Sequence, residues 1–171
     1  MGYAVRQPRS VRSLILFNTL SMAPGPLPIR LRICRLPWLG AKLVVDLNLL
    51  LYGNRNHSCD VAAAYDYPYR NHSSRYPLYR FVEDIPSVPE SDSAQLMMEI
   101  EAGLWMFRTT PCLILWAMHD WLYTPRMLKW WKRYLPNAEV HQIEHAGRYI
   151  QEDAPQELLH YIQNFLSQHQ I

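Results

Sequence analysis

"PCLILWAMHDWLYTPRMLKWWKRYLPNAEVHQIE", residues 111–144, decides the fold. Residues 112–118 form a continuous apolar run, the mark of a strand buried on both faces. At 124–136, Thr124 is placed to cap a helix, Pro125 to take its first position and Pro136 to stop it. Residues 138–144 then alternate, as a strand with one covered face does. Strand, helix and strand in this order predict parallel strands joined by a crossover helix.

The same grammar extends outward. Downstream, "APQELLHYIQNFLSQ" (154–168) spaces Leu158, Leu159, Ile162, Phe165 and Leu166 onto one helical face. Upstream, residues 94–107 place Leu96, Ile100, Leu104 and Phe107 at helical spacing, and "LILFNT" (14–19) reads as a further buried strand. Residues 1–8 read as the tail of a helix closed by Pro8. Residues 21–92 differ in character. In "IRLRICRLPWLGAKLVVDLNLLLYG" (29–53), Leu43, Leu47, Leu50 and Leu51 fall on one helical face, with Pro37 and Gly40 expected to break the stretch into two helices. The remainder is dense in Tyr, Pro, Ser and Asn, with a short helical piece expected around 78–82. This middle part predicts an all-helical insertion with irregular links. The expected class is α/β, with three parallel strands and their helices interrupted by that insertion.

Totals set the outer bounds. A chain of 171 residues with 49% hydrophobic residues can bury a core. A formal charge of +2 with no long basic block gives no reason to expect nucleic-acid binding. "RLRICR" (30–35) alternates its basic residues with Leu31 and Ile33, which fits a partly buried amphipathic segment. Cys34, Cys59 and Cys112 are widely spaced and form no CxxC pair, so neither a disulfide framework nor a zinc site is indicated, and reduced thiols in a cytoplasmic protein are expected. No run of about 18 apolar residues suggests a membrane span, and residues 1–13 lack the apolar middle of a secretory signal.

In open parallel sheets, sites lie beyond the carboxyl ends of the strands. Asn18 and Thr19 close the first strand, Asp120 follows the second, and His145 and Arg148 lie in the turn after the third. A carboxylate at Asp120, facing the last turn, can hold an imidazole in one tautomer and stabilise its charged form; Asp120 can equally cap the loop that follows it. No Gly-x-Ser-x-Gly elbow is present, and the histidines lack the convergent partners a metal would need.

"PRSVRSLILFNTLS", "LRICRLPWLGAKLVVDLNLL", "YRFVEDIP", "LILWAMHDWLYTPRMLKWWKRYLPNAEVH" and "HAGRYIQEDAPQELLHYIQNFL" together resemble the C-terminal half of α/β-hydrolase-fold proteins. The branch is the haloalkane dehalogenase-like one, nearest the β-lactone decarboxylase type of olefin biosynthesis. The resemblance implies residues 1–21 as core fragment, 22–92 as helical cap and 93–171 as C-terminal core. It implies a nucleophile elbow just before Met1, and hence a truncated chain. The acid position maps onto Asp120. The base-histidine position maps onto Arg148, because the family writes Ala-Gly-His-Tyr where this chain has Ala146-Gly147-Arg148-Tyr149. It implies an apolar small-molecule substrate for the intact family and no cofactor.

Arginine cannot act as a general base near neutral pH, so the chain alone is expected to be inactive. Two other readings stand beside that one. The chain is a non-catalytic binding or assembly module that completes its sheet with another chain, or it is active when a partner chain supplies the N-terminal half and His145 serves as base.

Overall fold

The computed structural model describes residues 1–20, 29–36, 38–46, 59–85 and 90–170. In chain order the elements are α1 (Gly2–Arg6), β1 (Leu14–Phe17), α2 (Ile29–Cys34), α3 (Leu39–Ala41), α4 (Cys59–Asp66), α5 (His72–Asp84), α6 (Asp92–Gly103), β2 (Cys112–Ala117), α7 (Pro125–Tyr134), β3 (Glu139–Ile143), α8 (Ile150–Asp153) and α9 (Pro155–His169). They fall into two compact units, one of Met1–Ala23 with Leu96–Ile171 and one of Pro24–Gln95.

In the first unit the strands form a parallel sheet in the order β1-β2-β3. Leu14 lies opposite Cys112 and Phe17 opposite Leu115; Leu113 lies opposite Glu139 and Ala117 opposite Ile143. All six residues of β2 are buried, because a central strand has neighbours on both sides and helices on both faces. Side chains alternate along the strand and divide the core in two. Cys112, Ile114 and Trp116 face Leu104, Phe107, Leu128 and Trp131. Leu113, Leu115 and Ala117 face Ile143, Ile150, Leu158 and Phe165. Thus α6 and α7 cover one face, and α8 and α9 the other.

Several local expectations shift. The first helix ends just before Pro8, with Gln7 as its C-cap, two residues short of the expected bound. α1 stops at Arg6, and Pro8 opens a 3-10 turn over Pro8–Ser10. The helix from α6 tightens into a 3-10 turn at Leu104–Phe107. Leu96 and Leu159, both expected on covered faces, are exposed. Each sits at the margin of its stripe, and Leu158 and Phe165 carry the contact of α9 with the sheet.

In the second unit, α2 buries Leu31 and Cys34, whereas Ile33 is exposed. The helical three-residue period therefore decides its face, not the alternation read in "RLRICR". Gly40 is no helix breaker. It lies inside α3 and is buried, and a Cβ there would collide with the Cys34 carbonyl oxygen. Glycine is needed because two backbone segments meet at that point. A π-helical turn follows over Lys42–Asp46. Arg75 Nε donates to the Tyr69 carbonyl at 2.7 Å and Nη1 to the Val45 carbonyl at 3.1 Å, tying α5 to that turn. The helix expected at 78–82 is the longer α5, begun by Asn71 and Ser74. The Asn71 N–H donates to Ser74 Oγ, and that hydroxyl donates back to the Asn71 carbonyl. Pro37, Leu47, Leu50 and Leu51 lie outside the described residues, so the expected break at Pro37 and most of the leucine face do too.

Candidate active site

The three strand ends converge through backbone and side-chain hydrogen bonds. After β2 the chain turns at Met118 and His119, whose N–H groups donate to the carbonyls of Ile143 (3.1 Å) and Ala146 (3.0 Å). The loop after β3 is thereby laid against the loop after β2. Its far side is held by Asp153, which accepts the Gly147 N–H on Oδ2 at 2.7 Å. Gly147 needs no special backbone freedom here. Its φ is not positive, and a Cβ would meet atoms only at 3.5 and 3.8 Å.

Asp120 is the described buried charged residue of this unit, 3% exposed. Oδ1 accepts the N–H groups of Leu122 (2.7 Å) and Tyr123 (3.0 Å). Oδ2 accepts Asn18 Nδ2 at 3.3 Å and faces Arg148 Nη1 at 3.8 Å. A carboxylate in a low-dielectric site is tolerable when its lone pairs are filled in this way. The loop-capping role open at the sequence level is therefore realised, and the same side chain also points its second oxygen at the last βα loop. Asn18 makes that orientation possible. Its Oδ1 accepts the Ala117 N–H at 2.6 Å and its Nδ2 also donates to the Ala117 carbonyl at 3.1 Å. The side chain so extends the β1–β2 ladder by one rung and fixes Asp120 from the neighbouring strand end.

Arg148 stands beside Asp120 with its side chain 29% exposed, and its guanidinium carbon lies 5.2 Å from the Tyr123 ring centre and 5.8 Å from that of Trp121. These two rings were not legible as site residues, since nothing in their spacing points to Arg148. His145 is turned elsewhere. It is largely exposed and pairs with Glu157 of α9 at 3.8 Å. Thr19 contributes its carbonyl, which accepts Trp131 Nε1 at 3.0 Å.

Neither buried thiol is poised as a nucleophile. Burial pushes Cys112 up to about 12 and raises Cys34 as well, and a thiol must ionise to react. Cys59 is exposed. Disulfide-exchange labelling of the native protein at pH 8 should therefore consume one thiol quickly and all three only after denaturation; rapid modification of Cys112 in the folded state would contradict this burial. Among the described residues, no group of three His, Cys, Asp or Glu side chains could hold a metal ion. No described helix is long and apolar enough to cross a membrane. A cavity of about 410 Å³ lies along the outer edge of β1, lined by Ile15, Leu16, Phe17, Leu20, Met97 and Ile100 among others, and by neither Asp120 nor Arg148.

The cis-3-alkyl-4-alkyloxetan-2-one decarboxylase of Shewanella oneidensis is 33% identical over 178 residues, covering 98% of this chain and 56% of that protein. The protein of the same name from Xanthomonas campestris pv. campestris is 28% identical over 174 residues, covering 96% and 58%. The chain thus spans somewhat more than half the length of these relatives. Among solved structures, the haloalkane dehalogenase DbeA of Bradyrhizobium elkani superposes with a TM-score of 0.83 at 21% identity, over 99% of this chain and 63% of that one. A putative ancestral haloalkane dehalogenase superposes equally well, with a TM-score of 0.83 at 20% identity, over 99% and 64%. Both structures match in fold. A family profile described as alpha/beta hydrolase fold matches residues 2–155. That match takes in all three strands and α7, so the chain belongs to the alpha/beta hydrolase fold family.

Proposed function

We propose that this chain is a relative of the β-lactone decarboxylases and haloalkane dehalogenases whose general-base position is occupied by Arg148, and that by itself it does not turn over lactone, ester or carbon–halogen substrates. In this reading Asp120 stands at the family's acid position, residues 22–92 correspond to the family's helical cap, and the intact family's substrate is an apolar small molecule. The observation that carries it is the 3.8 Å approach of Arg148 Nη1 to Asp120 Oδ2. An aspartate so placed supports a group in the last βα loop, and here that group is a guanidinium. Guanidinium has no lone pair to accept a proton and stays charged at neutral pH. Release of a covalent intermediate by water needs a base within hydrogen-bond reach. His145, paired with Glu157, does not supply one beside Asp120.

The test is a turnover assay of the purified chain on a cis-3,4-dialkyl-oxetan-2-one, a nitrophenyl alkanoate and a 1-bromoalkane. The expected rate is that of buffer for all three. Turnover above background that Asp120→Asn abolishes overturns the proposal, and turnover lost in His145→Ala would transfer the base role to that residue.

The outer edge of β1 favours a second reading, as an assembly module. Among the described strands β1 pairs only with β2, and its free edge is bordered by the apolar cavity. Exposed edges of this kind accept a further strand. A partner chain that completes the sheet would co-purify with this one; a monodisperse monomer at tens of micromolar sinks the idea.

A further inference from the structure

Arg148 has hydrogen-bonding capacity that the described residues leave unused. A guanidinium carries five N–H donors in a planar fork. Here it makes an ion pair with Asp120 at 3.8 Å, which is beyond hydrogen-bonding distance, and it lies near two aromatic rings. Asp120 is in the opposite condition, since it already accepts the N–H groups of Leu122 and Tyr123 and the amide of Asn18. The carboxylate therefore orients the guanidinium electrostatically without occupying its donors. The donors are not all enclosed either, because 29% of the side chain is open.

A half-buried cation with free, forked donors is a receptor for a planar oxyanion. The surroundings narrow the class. Asp120 stands close enough to cancel much of the charge, so the net attraction that remains offsets the desolvation of a monoanion better than that of a dianion such as hydrogen phosphate, whose desolvation cost grows with the square of the charge. Trp121 and Tyr123 offer apolar surface next to the guanidinium, which suits carbon attached to the anionic head.

We propose that Arg148, framed by Asp120, Trp121 and Tyr123, binds the carboxylate of an apolar-tailed monocarboxylic acid. The proposal rests on the preceding reading only in that the ligand is held and not converted. Arg148 gives the family's strand-end site an anion-binding role in place of base chemistry.

Sodium octanoate is the probe, titrated calorimetrically into the chain, with octan-1-ol as the uncharged counterpart and inorganic phosphate as the dianion. Saturable octanoate binding is expected, at least about ten-fold weaker in Arg148→Gln, as loss of charge-assisted hydrogen bonds implies. Arg148→Lys keeps the charge but not the fork, and should fall between the two. Octan-1-ol should bind at least about ten-fold more weakly than octanoate, and phosphate should not compete. Circular dichroism checks that each variant is folded; if Arg148→Gln is not, Arg148→Lys and the octan-1-ol comparison still decide. No saturable binding, equal affinity in the Arg148 variants, octan-1-ol binding as tight as octanoate, or displacement by equimolar phosphate each overturns the proposal. Octanoate is a substrate in none of the turnover assays above, so a missing isotherm leaves the inactivity reading intact. Observed turnover would refute that reading without touching the isotherm.

Discussion

Asp120→Ala is expected to lower the unfolding free energy by about 3–5 kcal/mol, the range for removing one member of a buried charged network. The loss has two parts of unequal size. The Leu122 and Tyr123 N–H groups and the Asn18 amide lose their acceptor, and each buried donor left unpaired costs about 1–3 kcal/mol, less where water reaches it. The Arg148 pair contributes less, because 3.8 Å is long and the guanidinium is partly open; a value near 1 kcal/mol is expected. The hydrogen bonds therefore dominate. Asp120→Asn retains the oxygen that faces Leu122 and Tyr123 but presents an amide to Asn18 and Arg148, and should cost roughly half as much. Urea unfolding followed by circular dichroism measures both, and a cycle with Arg148→Gln isolates the pair. A loss below about 1 kcal/mol for Asp120→Ala would mean that Asp120 does not hold the two loops.

Trp131→Ala carries the other large expectation, about 3–5 kcal/mol. Trp131 is fully buried on α7 and packs against the face of β2 that holds Ile114 and Trp116. Its ring meets Trp130 edge-on at 5.2 Å, and its Nε1 donates to the Thr19 carbonyl. Truncation empties a large volume in a close-packed layer and removes that donor together. Trp131→Phe separates the two effects, since it keeps most of the ring and loses the N–H, and should cost about 1–2 kcal/mol. The consequence reaches the site. Thr19 follows Asn18, so freeing Thr19 loosens the residue that aligns Asp120, and hydrogen exchange at the Ala117 N–H should rise in Trp131→Ala. An unfolding cost below about 2 kcal/mol would show that the layer closes over the gap.

The large elements were legible because their signals are local. A six-residue strand buried on both faces must be apolar throughout, and β2 is. α7 runs over Pro125–Tyr134 within the span set by Thr124, Pro125 and Pro136, because proline is tolerated at the first turn and not in the interior. Where the reading slipped, a neighbour decided. Gly40 looked like a breaker because glycine often is; its reason is the Cys34 carbonyl next to it. Leu159 looked buried because it is apolar and adjoins Leu158, yet neighbouring helical positions diverge by about 100° and the sheet covers only one of them.

The candidate site divides along the same line. The sequence by itself determined that strand ends would carry Asp120 and Arg148, since strand boundaries and the Ala-Gly-Arg-Tyr frame are short-range patterns. Only the tertiary structure decided what those residues meet. The amide of Asn18 reaches Asp120 across 102 positions of chain, and the rings of Trp121 and Tyr123 come to flank Arg148 because the loop after β2 is laid against the loop after β3 by backbone hydrogen bonds. Such contacts have no sequence period to announce them. They arise from the parallel pairing of β2 with β3, which brings two loops to the same end of the sheet, and from the burial that makes the backbone N–H groups of Met118, His119, Leu122 and Tyr123 find acceptors.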